Sequence, residues 1–580
     1  MRKLIFTFSL IMFLVVGFEV RAATVGGSQN FYIQPDYDLK KRSEITATLV
    51  KFTPELYFYV DQDFWYTLAY HQQNELRNAL DGLAKEFKEK IYPTLTNAFG
   101  AEWKPGIDKD EKITVLFHPM LKDISGYFNS GDEYPKIQVS NSNQREMVYL
   151  NSQYIEDEKI KPFLAHEFMH LIGFNQKEKE YNVSEEVWLN EARSEYVSTL
   201  LGYSNLEIGN PFRKRLEVFI ENPNDSLCEW QNKEADYGAI SLFTHYLVDH
   251  YGIEILVDSL HSEKIGIESL NYALKKNGFK EDFSQIFTDW TVAVLVGDCS
   301  FSEKYCYKNE NLKNFRVSPS LNFLPLNGKS SLVVTNTTKN WSGNWFNFVG
   351  GRGDLEVRFV GSPENIYRVP YLTKDFSGNW KINFFELNSN QGGEISIPEF
   401  GTKIISVIII PSLQTKVSDF FGQDTSIPFF LEASTIAIPA VSISLEKPIL
   451  EMSKTEILAK ISELEELLNQ LKSQLQKLIG PEEILPEEKK ISYPKFEENL
   501  YYGQVQNEEV KRLQEFLCSL GAEIYPEGLV TGNFLGLTQK AVIHFQEKYA
   551  TEILTPLGIE KGTGFVGPST RDKINQILGY

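Results

Sequence analysis

Two histidines spaced one helical turn apart constrain this chain more than any other feature of its sequence. They are His166 and His170 in PFLAHEFMHLIGF, with Glu167 between them. Pro162 suits the first turn of a helix and Gly173 suits its end, so we expect one short helix here. Side chains at i and i+4 share a helix face, which lets both imidazoles reach one metal ion while Glu167 addresses a water molecule beside it. The spacing therefore predicts a metal site.

A carboxylate further along the chain can complete such a site. A catalytic zinc ion takes three protein ligands and keeps one position open. Glu191 lies in VWLNEARSEY, whose pattern predicts a second helix with Glu195 one turn further along the same face. We predict that His166, His170 and Glu191 bind Zn2+. We also predict that Glu195 orients a ligand imidazole, that of His166, from outside the metal shell.

The pairing of AHEFMHLIGF with WLNEARSEY resembles the gluzincin zinc metallopeptidases, in which the second motif supplies the third ligand. Within that clan the chain is most similar to secreted bacterial peptidases of the hyicolysin and immune inhibitor A kind, over roughly residues 49–298. YFNSGDEYP and REMVYLNS resemble the strand region before their active-site helix. Ala192 replaces the glycine of the commoner WLNEG and touches no ligand. The resemblance implies a zinc endopeptidase acting on protein or peptide substrates.

The residue types also predict a mechanism. Zinc makes water a stronger acid, Glu167 accepts the proton, and the resulting hydroxide attacks a peptide carbonyl. Glu167 then passes the proton to the leaving amine. The oxyanion needs a further donor, and resemblance selects Tyr237 in ADYGAISLF, with His245 and His250 as alternatives.

The start of the chain and its charge predict where the protein works. Arg2 and Lys3 precede an apolar run too short to span a bilayer, which predicts a signal peptide over 1–23 and a secreted, extracellular or cell-wall-associated protein. Later apolar runs have strand length, so we expect no membrane span in the mature chain. A net charge of −20 argues against nucleic-acid binding.

Changes in pattern divide the chain into several domains. A variable segment over 24–48 precedes an α+β domain over 49–300, which the resemblance implies is zincin-like. Short apolar runs punctuated by Gly, Asn and Pro predict a β-sandwich over 312–445. Apolar residues that step by four and three from Ile457 to Leu478 predict a coiled coil over 455–479, a pattern that also allows two chains to associate. A charged linker over 480–500 follows.

The last part of the chain, 501–580, has the spacing of a small three-helix domain. TGNFLGLTQKAVIHFQ resembles the peptidoglycan-binding domain of that type, which implies peptidoglycan as a partner and tethering to the cell wall. Tethering would raise the local concentration of the enzyme near surface substrates.

An alternative function comes from a different class. A surface adhesin or wall-binding scaffold with weak or absent catalysis would share the same domains. Such a scaffold has no chemical need for a base at Glu167, so the intact set favours the enzyme.

The four cysteines are too few for a disulfide scaffold. Cys299 and Cys306 in DCSFSEKYC are close enough in sequence to close a small loop, but spacing alone does not settle it. We interpret Cys228 and Cys518 as buried free thiols.

Overall fold

A computed structural model describes residues 24–325, 330–436, 495–504, 507–521, 523–525 and 530–580. The predicted signal peptide, the coiled coil and most of the linker lie outside these residues. The chain divides into two compact units, Met1–Ser442 and Ile443–Tyr580.

The first unit begins with a six-stranded mixed sheet. Its strands are β1 (Ser28–Tyr32), β2 (Glu44–Phe52), β3 (Leu56–Asp61), β4 (Ile113–His118), β5 (Gly126–Phe128) and β6 (Met147–Asn151). They are ordered β1-β2-β3-β4-β6-β5, so β5 is an edge strand. β3, β4 and β6 run parallel, whereas β5 runs antiparallel to β6. The edge strand therefore leaves one row of backbone groups available to another chain.

The N-terminal segment is part of this sheet. Phe31, Ile45 and Ala47 are buried in a core on one face of β1–β3. The boundary expected between 48 and 49 falls inside β2. β1 is only five residues long, and its place is set by pairing with β2 rather than by a strong pattern of its own.

Ten helices within the described residues follow or flank the sheet in the first unit. They are α1 (Gln62–Thr67), α2 (Tyr70–Glu86), α3 (Tyr92–Phe99), α4 (Ile160–Gly173), α5 (Val187–Leu200), α6 (Pro211–Glu221), α7 (Glu234–Tyr251), α8 (Glu254–Leu260), α9 (Gly266–Lys276) and α10 (Phe283–Val296). A π-helical turn, Phe87–Ile91, joins α2 to α3 without a break. Mixed strands followed by helices give the α+β domain that the sequence predicts.

A second set of strands forms a two-layered β structure. They are β7 (Ser320–Leu324), β8 (Ser330–Thr338), β9 (Phe346–Gly350), β10 (Gly353–Val360), β11 (Tyr367–Arg368), β12 (Pro370–Asp375), β13 (Trp380–Phe384), β14 (Gly392–Phe400), β15 (Ile404–Ile409), β16 (Ser412–Leu413) and β17 (Ile427–Ile436). One layer is β8-β17-β10-β14 and the other is β13-β12-β15-β9-β7, joined by the pairing Phe400↔Ile404. Rings from the two layers meet, with Phe346 5.8 Å from Phe429. The arrangement is sandwich-like.

The β structure shares a hydrophobic core with the helices. β15 is buried on both faces: Val407 and Ile409 face the core of the β structure, while Ile408 belongs to the core of the helical domain. Trp341 packs edge-on against Phe283 of α10 at 4.8 Å. The run IISVIII therefore has no polar alternation because both of its sides are covered.

The cysteines behave as a pair and two single thiols. Cys299 and Cys306 form a disulfide after α10. Cys228 is free and buried, whereas Cys518 is free and only partly buried.

The second unit contains four helices among its described residues. They are α11 (Glu508–Ser519), α12 (Gly536–Lys548), α13 (Ala550–Ile553) and α14 (Pro568–Leu578). Leu513, Phe516, Val542, Phe545 and Ile574 are fully buried in a core of their own. The short α13 occupies part of the long connection before α14.

This unit contains an internal repeat that the sequence analysis missed. The side chain of Gln514 accepts from two backbone amides (2.7 and 2.8 Å) and donates to the Asn533 carbonyl (2.9 Å) and to a threonine hydroxyl (2.7 Å). Gln546 makes the same four contacts at 2.8–3.0 Å. The equivalent residues, 32 apart, are Gln514 and Gln546, Thr531 and Thr563, Gly532 and Gly564, Asn533 and Phe565, and Thr538 and Thr570.

Among the described residues, no helix has both the length and the apolar character needed to cross a membrane.

The shared core predicts that the β structure and the helices open together. Ile408→Ala removes buried methyl groups and should cost about 2–5 kcal/mol of unfolding free energy. Hydrogen exchange should then accelerate in both β15 and α10. Ile366→Ala, at an isoleucine that is 57% exposed, is the matched control and should change the unfolding free energy and the exchange rates little. Faster exchange in β15 with full protection of α10 would show that the two cores are independent.

Candidate metal centre

The helix that carries the two histidines lies deep in the first unit. Leu164, Phe168 and Leu171 of α4 are each about 1% exposed and pack into the helical core. The helix does not stop at Gly173 as expected, because that residue keeps right-handed helical angles and the chain continues as a π-helical turn to Lys179. Gly173 instead allows close packing, since a Cβ there would lie 3.2 Å from Oδ1 of Asn190 on α5.

Helix α5 is fixed beside α4 by its first turn. Trp188 is buried and its indole N–H donates to Oε2 of Glu186 at 2.6 Å. Leu189 and Ala192 are also buried. These contacts fix the rotation of α5, and Glu191 then projects toward α4.

Three candidate ligands meet between the two helices. Nε2 of His166 lies 3.2 Å from Nε2 of His170 and 3.2 Å from Oε2 of Glu191. Nε2 of His170 lies 3.5 Å from Oε1 of Glu191. Among the described residues, these side chains form the group of histidine, cysteine and acidic residues whose ligand atoms all lie within 4.8 Å of one another.

The donor set suits zinc. Oε2 of Glu191 is buried, and apart from Nε2 of His166 at 3.2 Å it has no hydrogen-bond partner among the described residues, which is costly unless a cation offsets its charge. Two imidazoles and one carboxylate, with an open side toward solvent, are the ligands of catalytic zinc sites. The residues present therefore fit a zinc ion.

A second layer of contacts orients the imidazoles. Oε1 of Glu195 lies 3.4 Å from Nδ1 of His166. Arg215 on α6 donates to both carboxylate oxygens of Glu195, at 2.9 and 3.0 Å. Burial alone would raise the pKa of Glu195, but Arg215 outweighs it and lowers that pKa. Nδ1 of His170 lies 3.3 Å from the hydroxyl of Ser194.

The electrostatic environments of the two histidines differ. Burial disfavours the charged form of both. At His166, nearby Glu191 and Glu167 outweigh burial and raise the pKa to about 9. At His170 burial dominates and lowers the pKa to about 4.

Glu167 faces the open side of the centre. It is 4% exposed, and burial, reinforced by Glu191 and Glu195, raises its pKa to about 8 despite the attraction of His166. A cation held by the three ligands would favour its ionised form. Glu167 is placed to accept a proton from water in the cleft.

The cleft in front of the centre has a volume of about 440 Å³. Edge strand β5 forms one wall with Gly126, Tyr127 and Phe128. A Cβ at position 126 would lie 2.6 Å from the Tyr149 carbonyl and 3.1 Å from Oε1 of Glu167, so glycine is required for this close approach. An extended peptide can therefore lie along β5 next to Glu167.

Tyr237 and Tyr37 are among the tyrosines that line the cleft. Tyr237 on α7 packs edge-on against Trp230 at 4.9 Å, and the guanidinium of Arg215 lies 4.3 Å from the centre of its ring. Tyr37 also lines the cleft, and its hydroxyl contacts the side chain of Asn232.

The two alternative histidines face elsewhere. His245 uses Nδ1 on the Ser241 carbonyl (2.6 Å) and Nε2 on the Thr199 hydroxyl (2.7 Å). Nε2 of His250 contacts the Cys306 carbonyl at 2.9 Å. Neither lines the cleft.

Sequence reasoning missed Arg215 and Tyr37. Arg215 lies in the basic run RKRLE, and nothing in that run distinguishes it from Arg213, whose side chain is 29% exposed and pairs with Glu217. Tyr37 lies in the segment taken as variable, and its role depends on contacts about 200 residues away in sequence. No local pattern identifies either one.

Comparison with known proteins supports a metallopeptidase. The chain is 23% identical over 307 residues to neutral metalloprotease ShpI from Staphylococcus hyicus, covering 48% of this chain and 63% of that relative. The chain thus spans less than two thirds of the length of that relative. No protein-family model matches.

Two of the similar solved structures each match about a fifth of the chain. The pre-peptidase C-terminal domain of a collagenase from Bacillus anthracis matches 20% of this chain and 96% of its own, at 10% identity and a TM-score of 0.15. A mitogen from Yersinia pseudotuberculosis matches 20% and 96%, at 12% identity and a TM-score of 0.14. Likenesses this weak define neither fold nor function.

The contact between Arg215 and Glu195 predicts an effect on metal affinity. Arg215→Gln leaves Glu195 buried without its cation and weakens its hold on His166, so zinc affinity should fall about 10- to 100-fold. Arg213→Gln, on the same helix but at an exposed ion pair, should change zinc affinity by no more than about twofold. Competition with a chromophoric zinc chelator measures both, and equal affinities would show that this ion pair does not support the centre.

Proposed function

We propose that this chain is a zinc-dependent endopeptidase. The observation that carries the proposal is the meeting of His166, His170 and Glu191 at one point, with Glu167 beside them on an open cleft. The similarity to a neutral metalloprotease supports the same function from an independent comparison.

His166, His170 and Glu191 would hold the ion, and Glu195 would position His166. A bound zinc ion supplies a Lewis acid that polarises the scissile carbonyl and makes water acidic near neutral pH. Glu167 takes the proton of the attacking water and delivers it to the nitrogen of the leaving amine. Its buried position keeps bulk water from competing for that proton.

Substrate binding follows from the edge strand. The free edge of β5 can pair with an extended peptide, which would set the scissile bond beside Glu167. Backbone pairing carries no side-chain selectivity, so this feature favours a peptide substrate of broad sequence.

Tyr237 is the proposed oxyanion donor. Its ring is fixed between Trp230 and the guanidinium of Arg215, so its hydroxyl is held in one direction. The hydroxyl of Tyr37 accepts a hydrogen bond from the side chain of Asn232, which leaves its own O–H free. We assign the donor role to Tyr237 because of its fixed ring, and a lining role to Tyr37.

The remaining parts of the proposal rest on sequence. A signal peptide over 1–23 would export the protein, and residues 501–580 would attach it to peptidoglycan, with the 455–479 helix as a spacer. The zincin-like character of the α+β domain is part of the same proposal.

Replacing the proposed base tests the function. Glu167→Gln keeps the shape of the side chain but cannot accept the proton, so kcat on a fluorogenic peptide should fall about 10²- to 10⁴-fold with zinc still bound one to one. Glu158→Gln, an exposed residue just before α4, is the control.

A zinc-loaded wild type that cleaves neither casein nor peptides, with or without chelator, would contradict the enzyme and favour the adhesin.

Replacing each tyrosine by phenylalanine distinguishes the roles of Tyr237 and Tyr37. Tyr237→Phe should lower kcat about 10²- to 10³-fold with little change in KM, because the hydroxyl acts mainly in the transition state. Tyr37→Phe should lower kcat by less than about tenfold. The reverse order of effects would assign the oxyanion contact to Tyr37.

A further inference from the structure

A second group of acidic side chains lies at the far end of the sheet, outside the proposed zinc centre. Three loops meet there. One precedes β4 and carries Gly106, one follows β5 and carries Glu133, and one precedes β6 and carries Glu146.

The two glutamates are buried with oxygens that lack partners. Glu133 is 3% exposed, and neither of its carboxylate oxygens has a hydrogen-bond partner among the described residues. Glu146 is 2% exposed; Oε1 accepts from the backbone N–H of Ile107 at 3.0 Å, but Oε2 has no partner there. Apart from the contact between the two carboxyl groups themselves, three buried carboxylate oxygens thus have no partner among the described residues.

The carboxyl groups of Glu133 and Glu146 lie within hydrogen-bonding reach of each other. Burial, together with the adjacent carboxyl of Glu146, raises the pKa of Glu133 well above its usual range. Asp108, on the Gly106 loop, adds further negative potential at both glutamates. The glutamate pair is therefore aimed into one common space.

Protein cations do not neutralise the pair. Within residues 24–325, no lysine, arginine or histidine lies within ion-pair distance of Glu133 or Glu146. Arg145 lies over the ring of Phe31 at 5.3 Å and donates to Thr114. Lys109 donates to the Gly106 carbonyl at 3.3 Å. Burying such charges without a partner costs several kcal/mol per group.

The walls of the site are held in place. Gly106 has φ +80°, and a Cβ there would lie 1.7 Å from Oε2 of Glu146, so the backbone packs directly on the carboxylate. Asp132, next to Glu133, is fully engaged: it accepts from the Tyr149 hydroxyl at 2.6 Å and from the Asn143 N–H at 2.7 Å. The neighbouring contacts therefore fix the loop without using Glu133.

We propose that Glu133 and Glu146 bind a calcium ion that ties together the loops beside β4, β5 and β6. The donors are all oxygens, which hard cations prefer, and the nitrogen ligands that favour zinc are absent from these two side chains. Calcium tolerates an irregular shell completed by backbone carbonyls and water, whereas magnesium demands a near-ideal octahedron.

The proposed ion would stabilise the wall of the cleft. Glu133 lies five residues beyond the end of β5, and its neighbour Tyr134 packs against Phe174 at the end of α4 with ring centres 5.8 Å apart. Calcium would hold this segment in place without touching the zinc ligands.

Calcium binding and stability test the proposal on the full chain. The protein carries Glu167→Gln to prevent self-digestion and one equivalent of zinc, in buffer stripped of calcium. Equilibrium dialysis against Ca2+ gives the stoichiometry, and thermal unfolding is followed with added Ca2+ or Mg2+. Glu133→Gln and Glu146→Gln remove the ligands, while Glu111→Gln is the control because it is exposed and lies near the same loop.

We expect one calcium per chain at this site, lost in both ligand variants and kept in Glu111→Gln. At about 100 times Kd, Ca2+ should shift the unfolding equilibrium about 100-fold and raise Tm by about 5 °C, with a smaller effect of Mg2+. No calcium effect in the parent protein would overturn the proposal and indicate a carboxyl pair that shares a proton. Calcium binding that survives both substitutions would also overturn it. If one variant fails to fold, calcium binding by the parent protein and by the other variant still tests the proposal.

Discussion

The packing of α4 against α5 is the contact on which the proposed chemistry depends. It places Glu167 and two imidazoles from one helix against Glu191 and Glu195 from the other, with ligand atoms 3.2–3.5 Å apart. Three carboxylates in one buried region repel one another. Arg215 offsets the charge at Glu195, and a cation between the imidazoles would offset the rest.

This packing is supported from a distance by the β structure. Glu186 precedes α5; one of its carboxylate oxygens accepts the indole N–H of Trp188, and the other accepts the backbone N–H of Asp419 at 2.9 Å. Asp419 belongs to the loop before β17. A contact between residues more than 200 positions apart in sequence therefore fixes the start of the helix that carries Glu191. This contact and the shared core around Ile408 together hold the helices and the β structure of the first unit against each other.

The sequence predicted those features that depend on local spacing. His166, Glu167 and His170 follow from helix periodicity, and Glu191 with Glu195 follows from the same rule on a second helix. Long-range features were not predictable: Arg215 and Tyr37 reach the cleft through tertiary packing, and the N-terminal segment joins the sheet only through pairing with β2. The repeat in the last unit had a detectable signal in the sequence, since the dipeptide TG at Thr531 and again at Thr563 lies 17 residues after Gln514 and Gln546 respectively.

Zinc X-ray absorption on the full chain, loaded with one equivalent of zinc, tests the central claim most directly. The account predicts two imidazole nitrogens and carboxylate oxygen at about 2.0–2.2 Å, in a shell of four or five ligands with no sulfur. A spectrum without imidazole scattering, or a six-oxygen shell typical of loosely held surface zinc, would contradict it.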